Sequence, residues 1–279
     1  MFDFIYLYPV NIIVNIKIRV DQDIEKNAEA YFQASKTAKK KIKGAKKMVE
    51  KAKRNLKKDE EVDDTVTIHL DKRERKWYES YHWIHTTNEY LAIGGRSASS
   101  NEAVIKKHCD PSDLVFHTDA PGSPFVVLKK GGDAEKEDRK DAATLAGLYS
   151  KAWKHGVREV DVMEVSPDQV TKETQAGEYI GKGSFMIYGE RKEHTVTLDL
   201  GIGLRRIEDD ILLMGGPEHI IKQYCSAYVF LGQGNKGKGD ISKHVMKILH
   251  IARNDSILPR LPSGTFRIKE KHVEGIKNI

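Results

Sequence analysis

Along residues 12–21, Ile12, Val14, Ile16, Ile18 and Val20 alternate with Ile13, Asn15, Lys17, Arg19 and Asp21. A period of two predicts a β-strand with one apolar face, because successive strand side chains point to opposite sides. From Ile24 the period changes. Ile24, Ala28, Tyr31, Ser35, Ala38, Ile42, Ala45, Val49, Ala52 and Leu56 are spaced alternately by 4 and 3. That is the seam of a coiled coil sustained over about five heptads, on a helix roughly 50 Å long at about 1.5 Å per residue. Ala fills four of the ten seam positions and Ser a fifth, so the seam buries little area per turn but admits a close neighbour. An apolar seam of this length is not kept in water, and a partner helix is expected, from another chain or from a second copy.

Beyond residue 65 the pattern is shorter and mixed. Tyr90-Leu91-Ala92-Ile93 reads as a strand ending at Gly94-Gly95, and Ser99 followed by Glu102 reads as a capping box opening a helix through Lys107. Two apolar runs, 114–117 and 125–128, predict short buried strands. Ala142, Leu145, Ala146, Tyr149, Ala152 and Trp153 share one face of a predicted helix over 141–155, with Gly156 as terminator. Residues 158–165 alternate as a strand. Further on, the pattern predicts a strand over 226–231, a loop over 232–239 and a helix over 240–251. Pro217 is placed at the first position of a helix, and Gly264 precedes Phe266-Arg267-Ile268. Without regular βαβ alternation the fold class is α+β: a long basic helix followed by a mixed α/β domain.

Charge sharpens the picture. The net +6 of the 279 residues is an average: residues 24–58 hold 13 Lys/Arg against 3 acids, a local +10, which leaves −4 for the rest. Lys39, Lys40, Lys43, Lys46 and Lys47 lie in this stripe. Coiled-coil surfaces usually mix signs; one so uniformly positive repels a copy of itself and favours a polyanion, RNA first, through counterion release along phosphates. The longest uncharged run near the start, residues 4–16, falls short of the roughly 20 residues a membrane span needs. Two cysteines, Cys109 and Cys225, make no disulfide framework. A cytoplasmic protein without a membrane anchor is expected.

Candidate chemistry is sparse. Lys72, Arg73, Arg75, Lys76, Trp77, Tyr78, Tyr81, His82 and Trp83 form a dense aromatic and basic stretch, suited to stacking on unpaired bases. Trp77, Tyr81 and Ile84 also fit the buried face of a short helix. His82 and His85 make an HxxH pair without a third metal ligand at a recognisable spacing. The loop 118–124 gathers Asp119, Gly122, Ser123 and Pro124 after His117, but no nucleophile elbow. Asp119, Glu159 and Asp161 are a candidate nuclease set, although alternating acids on a strand's solvent face are commoner. Gly232, Gly234 and Gly237 match a dinucleotide fingerprint. Gly237-Lys238-Gly239 falls one residue short of a phosphate-binding loop and lacks the hydroxyl residue that holds Mg²⁺. Lys236 and Lys238 beside a helix N-terminus still suit an RNA phosphate.

The order of several motifs resembles the NFACT-R domain. They are Lys76-Trp77-Tyr78-Glu79, Gly94-Gly95-Arg96 followed by Asn101-Glu102, the loop from His117 through Asp119 and Gly122 to Pro124, the segment from Ala142 to Trp153, Val170-Thr171-Lys172, Gly177-Glu178-Tyr179 and Gly183-Ser184-Phe185-Met186-Ile187 with Gly189. Asn27-Ala28-Glu29 with Tyr31-Phe32, then Lys41-Ile42 and Gly44-Ala45, resemble the second coiled-coil arm that precedes that domain. The resemblance covers residues 12–195 clearly and 196–279 more loosely. It implies a residual strand of a preceding domain at 1–21, an arm at 22–60, the NFACT-R domain at 66–195 and a C-terminal α/β extension at 196–279. His85-Thr86-Thr87-Asn88-Glu89 stands where the family usually has a Ser-Ser-Asp-Gly-like turn. The NFACT-N domain, the helix-hairpin-helix region and the first arm have no counterpart here, and the family's tRNA-engaging Asp-Arg motif belongs to that absent part. A truncated or split member is expected, whose seam pairs with the missing arm or with a separate chain, and residues 1–8 need not be family sequence.

NFACT proteins act in ribosome-associated quality control. The resemblance therefore implies a factor that binds the large ribosomal subunit and the tRNA or rRNA of stalled translation complexes and supports C-terminal tailing of the stalled chain, with alanine the expected residue. Peptide transfer is left to the ribosome, and no cofactor, metal or bond-making residue is implied. RNA-contact candidates are the five lysines above, Arg73, Arg75, Lys76 and Trp77, and, within or beside the family motifs, Arg96, His117, Lys172 and Arg191. The competing readings are an enzyme, using the 232–239 glycine loop or the Asp119, Glu159 and Asp161 set, and a structural coiled-coil adaptor.

Overall fold

Within the long basic stretch the seam lies along one helix, α1 (Ile24–Lys58). The computed structural model describes residues 19, 21–58, 67–70, 74–119, 122–173, 181–208, 210–253 and 256–273. The period-two strand at the start, Arg73, and Gly177-Glu178-Tyr179 therefore lie outside the described residues. Asp23 opens α1 by accepting from the Lys26 N–H at 2.7 Å. Asn27 braces the entry: its Oδ1 accepts from the Arg19 N–H at 2.8 Å and its amide donates to Asp23 O at 3.0 Å. Seam residues Ile24, Tyr31, Ile42 and Val49 are all exposed in this chain, as are the off-seam Phe32 and Met48.

The described residues from 67 onward form a second compact unit. It contains two antiparallel sheets. The first is ordered β1 (His82–His85), β2 (Leu91–Gly94), β4 (Val126–Leu128), β3 (Leu114–His117), β5 (Glu159–Val165) and β8 (Lys192–Thr197). A short pair, β6 (Val170–Thr171) with β7 (Met186–Ile187), stands apart. The second sheet is ordered β10 (Asp210–Pro217), β9 (Leu200–Ile207), β11 (Ala227–Gly237) and β12 (Thr265–His272). Helix α2 (Ala98–His108) follows β2, and α3 (Lys136–Leu148) packs on the first sheet and on β10 of the second. Ala142, Ala143, Leu145, Ala146 and Leu148 of α3 are completely buried, each leucine contributing about 1.5–3 kcal/mol by leaving water. Helix α4 (Glu218–Tyr224) lies on β9 and β10, and α5 (Lys238–Ile248) on β11 and β12.

Several boundaries differ from the sequence pattern. The helix expected over 141–155 begins at Lys136 and ends at Leu148, continuing as turns to Gly156; its last apolar residues, Ala152 and Trp153, are nevertheless buried. Ser97, not Ser99, caps α2, with its hydroxyl accepting from the Ser100 N–H and the Ser100 hydroxyl accepting from the Ser97 N–H. Trp77, Tyr81 and Ile84 do not share a helix: residues Trp77–Ser80 form one 3₁₀ turn and Ile84 sits in β1. Pro217 is the cap residue before α4 rather than its first residue. The glycine loop is absent. Strand β11 runs through Gly237 directly into α5, its second half pairing with β12 through a bulge between Gln233 and Lys236, where Thr265 Oγ1 donates to Gly234 O. Gly232 and Gly237 are held in the ladder and Gly234 in its bulge, leaving no free loop before the helix, so the nucleotide-binding loop reading fails.

Candidate nucleic-acid interface

A cavity of about 520 Å³ opens where the end of β2, the start of α2, the loop before β4, the segment before β7 and the N-terminus of α5 converge. Gly95, Arg96, Asn101, His117, Gly122, Pro124, Ser184 and Phe185 of the family motifs all line it. Gly95 has no room for a side chain, since an added Cβ would lie 2.0 Å from Asn101 Oδ1. Asn101 in turn accepts from the Phe125 N–H at 3.2 Å and donates to Ser123 O at 3.4 Å, clipping the 123–125 loop to α2. Gly183 has φ +78 and approaches Ala98 so closely that a Cβ would meet its Cα at 2.4 Å. These motif residues shape the wall.

The cavity is cationic. Arg96 donates through Nη2 to Glu79 O at 3.2 Å, while its Nε is buried without a hydrogen-bond partner among the described residues. Lys238, the first residue of α5, is half-buried and has no hydrogen-bond or ion-pair partner among the described residues. Burial holds its ammonium below the usual lysine range. Lys182 also lines the cavity, and burial first, then Arg96, lower the pKa of the neighbouring Arg260 to about 10. No Asp or Glu is among the described lining residues.

Its aromatic residues are stacked in pairs. His82 lies on Tyr149 with ring centroids 3.5 Å apart, and the Tyr149 hydroxyl donates to Arg260 O at 2.7 Å. Burial first, then Arg96, Lys238 and Arg260, hold His82 well below the usual imidazole range, so it is neutral. His117 stacks on Phe125 at 4.0 Å, and its Nδ1–H donates to Pro124 O at 3.0 Å, which leaves Nε2 as the acceptor. Burial also lowers the His117 pKa. Phe185 meets Phe125 edge-on at 5.3 Å.

A second surface lies on the Lys76-Trp77-Tyr78-Glu79 turn. Glu79 is buried and accepts from the Lys76 N–H at 2.8 Å, which closes the turn. Trp77 is 51% exposed and stacks on His108 at 4.5 Å, with Tyr78 and Tyr81 edge-on. Arg75 and Lys76 are exposed on the approach to it.

Other candidates lie elsewhere. His82 and His85, at i and i+3 in β1, point to opposite faces, and His85 Nδ1 accepts from Arg205 at 3.1 Å. Asp119 is exposed. Glu159 and Asp161 are also exposed and accept from Thr197 and Thr195 across β8, while Glu164 of the same strand is buried between Arg139 and His194. The candidate nuclease acids are therefore not gathered, and among the described residues no His, Cys, Asp and Glu group could hold a metal ion. Glu102, expected in the cap, instead accepts from Lys106 at 2.7 Å and from the Gly183 N–H at 3.4 Å. Lys172 lies 3.6 Å from Glu102 and over the Phe185 ring, and Arg191 Nη2 donates to Ile187 O at 3.4 Å. Lys39, Lys40, Lys43, Lys46 and Lys47 are exposed on α1.

The sequence pattern does not mark Tyr149 as a cavity residue or Arg260 as the group that holds it. Tyr149 sits on the apolar face of its segment and reads as core, and Arg260 stands between prolines without a motif. No helix of the described residues is long and apolar enough to cross a membrane.

Residues 80–189 match the family model described as the NFACT protein RNA binding domain. The archaeal Rqc2 homolog aRqcH of Methanocaldococcus jannaschii is 35% identical over 204 residues, covering 72% of this chain and 30% of that protein. The ribosome quality control complex subunit NEMF homolog of Drosophila melanogaster is 29% identical over 67% of this chain and 20% of its own length. The human ribosome quality control complex subunit NEMF is 32% identical over 59% of this chain and 16% of its own. The matched region thus spans under a third of each of these relatives.

Proposed function

The chain belongs to the NFACT family, and on that premise we propose that it is a ribosome-associated quality-control factor. In this reading it binds the large ribosomal subunit and the tRNA or rRNA of stalled translation complexes, in the cytoplasm, and supports C-terminal tailing of the stalled chain, with alanine as the residue added. The observation that carries the reading is the convergence of the family-motif residues, within a matched RNA-binding domain, on a cationic cavity without carboxylates among its described lining residues.

The mechanism is positioning. The lysines of α1 track phosphates, Trp77 offers a stacking face, and the cavity fixes the domain on RNA. The exposed seam residues of α1, Ile24, Tyr31, Ile42 and Val49, pair with a partner helix. Bond formation belongs to the ribosome.

The test is co-sedimentation with purified large subunits over a salt series. Binding should weaken steeply as salt rises. A combined Lys39→Glu, Lys40→Glu and Lys43→Glu variant should bind less and with a shallower salt slope, by about one unit for each phosphate no longer neutralised. Undiminished binding of that variant removes the basic stripe from the interface; failure of the unaltered chain to sediment with subunits overturns the reading.

A further inference from the structure

The cavity has more structure than a general affinity for RNA requires. A phosphate-tracking surface needs exposed, mobile cations, whereas Arg96 and Lys238 are drawn partly out of water. Desolvating a cation without an acidic partner is unfavourable, and no described acid lines this cavity. The Arg96 Nε–H is buried with no acceptor among the described residues, a condition that native structures rarely leave standing. Lys238 begins an eleven-residue helix whose cap residue, Gly237, supplies no side-chain acceptor, so the N–H groups of that first turn add positive potential beside the lysine. Asp240 sits in that first turn, close to Gly237, but the charged side chains that line the cavity, Arg96, Lys182 and Lys238, are all cations.

The other wall is of a different kind. Tyr149, His117 and Phe185 are half-buried rings that line the cavity. His117 and Tyr149 are locked by hydrogen bonds to Pro124 O and Arg260 O. Rings held this way stack on a ligand with little loss of side-chain freedom. The volume of about 520 Å³ falls within the range of small-ligand clefts and is larger than an inorganic anion requires.

We propose that this cavity receives one unstacked nucleotide, with its phosphate on Arg96 and Lys238 and its base against the aromatic wall. The inference rests on the RNA-binding reading above and narrows it to a defined subsite. The same chemistry is offered by a nucleotide within single-stranded RNA and by a free nucleoside monophosphate.

The experiment uses the full chain. Binding of fluorescein-labelled single-stranded oligoadenylate and of an RNA duplex is followed by anisotropy, and adenosine monophosphate, adenosine and inorganic phosphate are added as competitors. In parallel the Arg96 Nε–H resonance is followed in ¹⁵N-labelled protein. Lys238→Gln, which breaks no hydrogen bond or ion pair among the described residues, and Arg96→Gln should each weaken oligoadenylate binding roughly tenfold. The exposed Lys243→Gln should leave it unchanged. Adenosine monophosphate should displace the oligonucleotide and shift the Arg96 resonance, with adenosine and phosphate far weaker. Single-stranded RNA should bind better than duplex.

If the monophosphate shifts the resonance but oligoadenylate neither shifts it nor competes, the subsite stands and its source is the free nucleotide. If inorganic phosphate acts as strongly as the monophosphate, the base contact is wrong and the inference fails. If both variants retain full oligonucleotide affinity with the Arg96 resonance unmoved, the subsite is refuted while RNA binding elsewhere on the chain survives. If the unaltered chain binds no RNA, the broader reading fails first, and the subsite is decided by the monophosphate alone.

Discussion

Replacing Asp138 by alanine should weaken the β-sheet unit in a way that depends on pH. Asp138 lies in the first turn of α3 and is completely buried. Its Oδ1 accepts from the Thr86 hydroxyl at 2.6 Å and the Asn88 N–H at 2.9 Å; its Oδ2 accepts from the Asn88 amide at 3.0 Å and the Glu135 N–H at 3.1 Å. The carboxylate thus fixes the turn between β1 and β2 onto α3. Burial pushes its pKa up, but the hydrogen bonds from Asn88, Thr86 and Glu135 outweigh it and hold the carboxyl below its usual range.

Asp138→Ala orphans the buried Thr86 hydroxyl and at least one backbone donor at about 1–3 kcal/mol each, so about 3 kcal/mol in sum. For a unit of about 200 residues this lowers Tm by about 6–12 °C. A depressed carboxyl adds stability that is present above its unfolded pKa of about 3.9 and is lost as pH falls through the lower folded value. The gap between parent and variant, measured by urea denaturation, should therefore be constant from neutral pH to about 5 and narrow below about 4. A double-mutant cycle with Thr86→Val should show coupling of about 1 kcal/mol or more. A Tm loss under about 2 °C, or a gap that does not change on acidification, would refute the assignment.

Three further outcomes follow from the same geometry. Glu89 holds φ +64 in the β1–β2 turn, a conformation that glycine adopts without a Cβ penalty, and its ion pair with Arg205 is largely exposed on the Glu89 side; Glu89→Gly should raise stability by about 0.5–1 kcal/mol, read as a higher urea midpoint. Gly95→Ala forces a Cβ into Asn101 and should lower Tm and disturb the cavity together, seen as shifted His117 and Phe125 resonances at a temperature where the variant is folded; an unchanged spectrum would contradict the clip. Cys225 is buried with its thiol pushed up to about 12, and Cys109 is half-buried with its thiol pushed up to about 11, burial being the main cause in both. Iodoacetamide at neutral pH should modify neither while the chain is folded and both in urea, as mass spectrometry would show.

Local apolar runs are legible in the sequence: β2, β3 and β4 fall where residues 90–93, 114–117 and 125–128 predict them, because a buried strand is specified by its own side chains. The long helix is equally plain from its period. Partners distant in sequence are not. Ser97 and Ser99 are both acceptable caps, and the choice is settled by the chain leaving β2, which commits Gly95 to Asn101 and places Ser97 at the entry. The glycines of β11 read as a loop because glycine signals backbone freedom, whereas β12, some thirty residues later, supplies the hydrogen bonds that keep them extended. Of the cavity, the motif glycines, Arg96, Asn101 and His117 stand out in order. Lys238 stands out for a phosphate loop that does not exist and lines the cavity instead, while Tyr149 joins it only through tertiary packing.

The direct passage of β11 into α5 has a mechanical consequence. The root of Lys238 is anchored by a strand ladder on one side, Gly237 facing Thr265, and by a helix on the other. A lysine on a glycine-rich loop would have to surrender backbone freedom of about 1–2 kcal/mol for each residue ordered whenever an anion arrived. Here that ordering is completed when the sheet forms, and only the four-carbon stem remains to settle. Recognition at this end of the cavity is then governed by the stiffness of the sheet, and changes in β12 that loosen the ladder should speed ligand release without altering any residue the ligand touches.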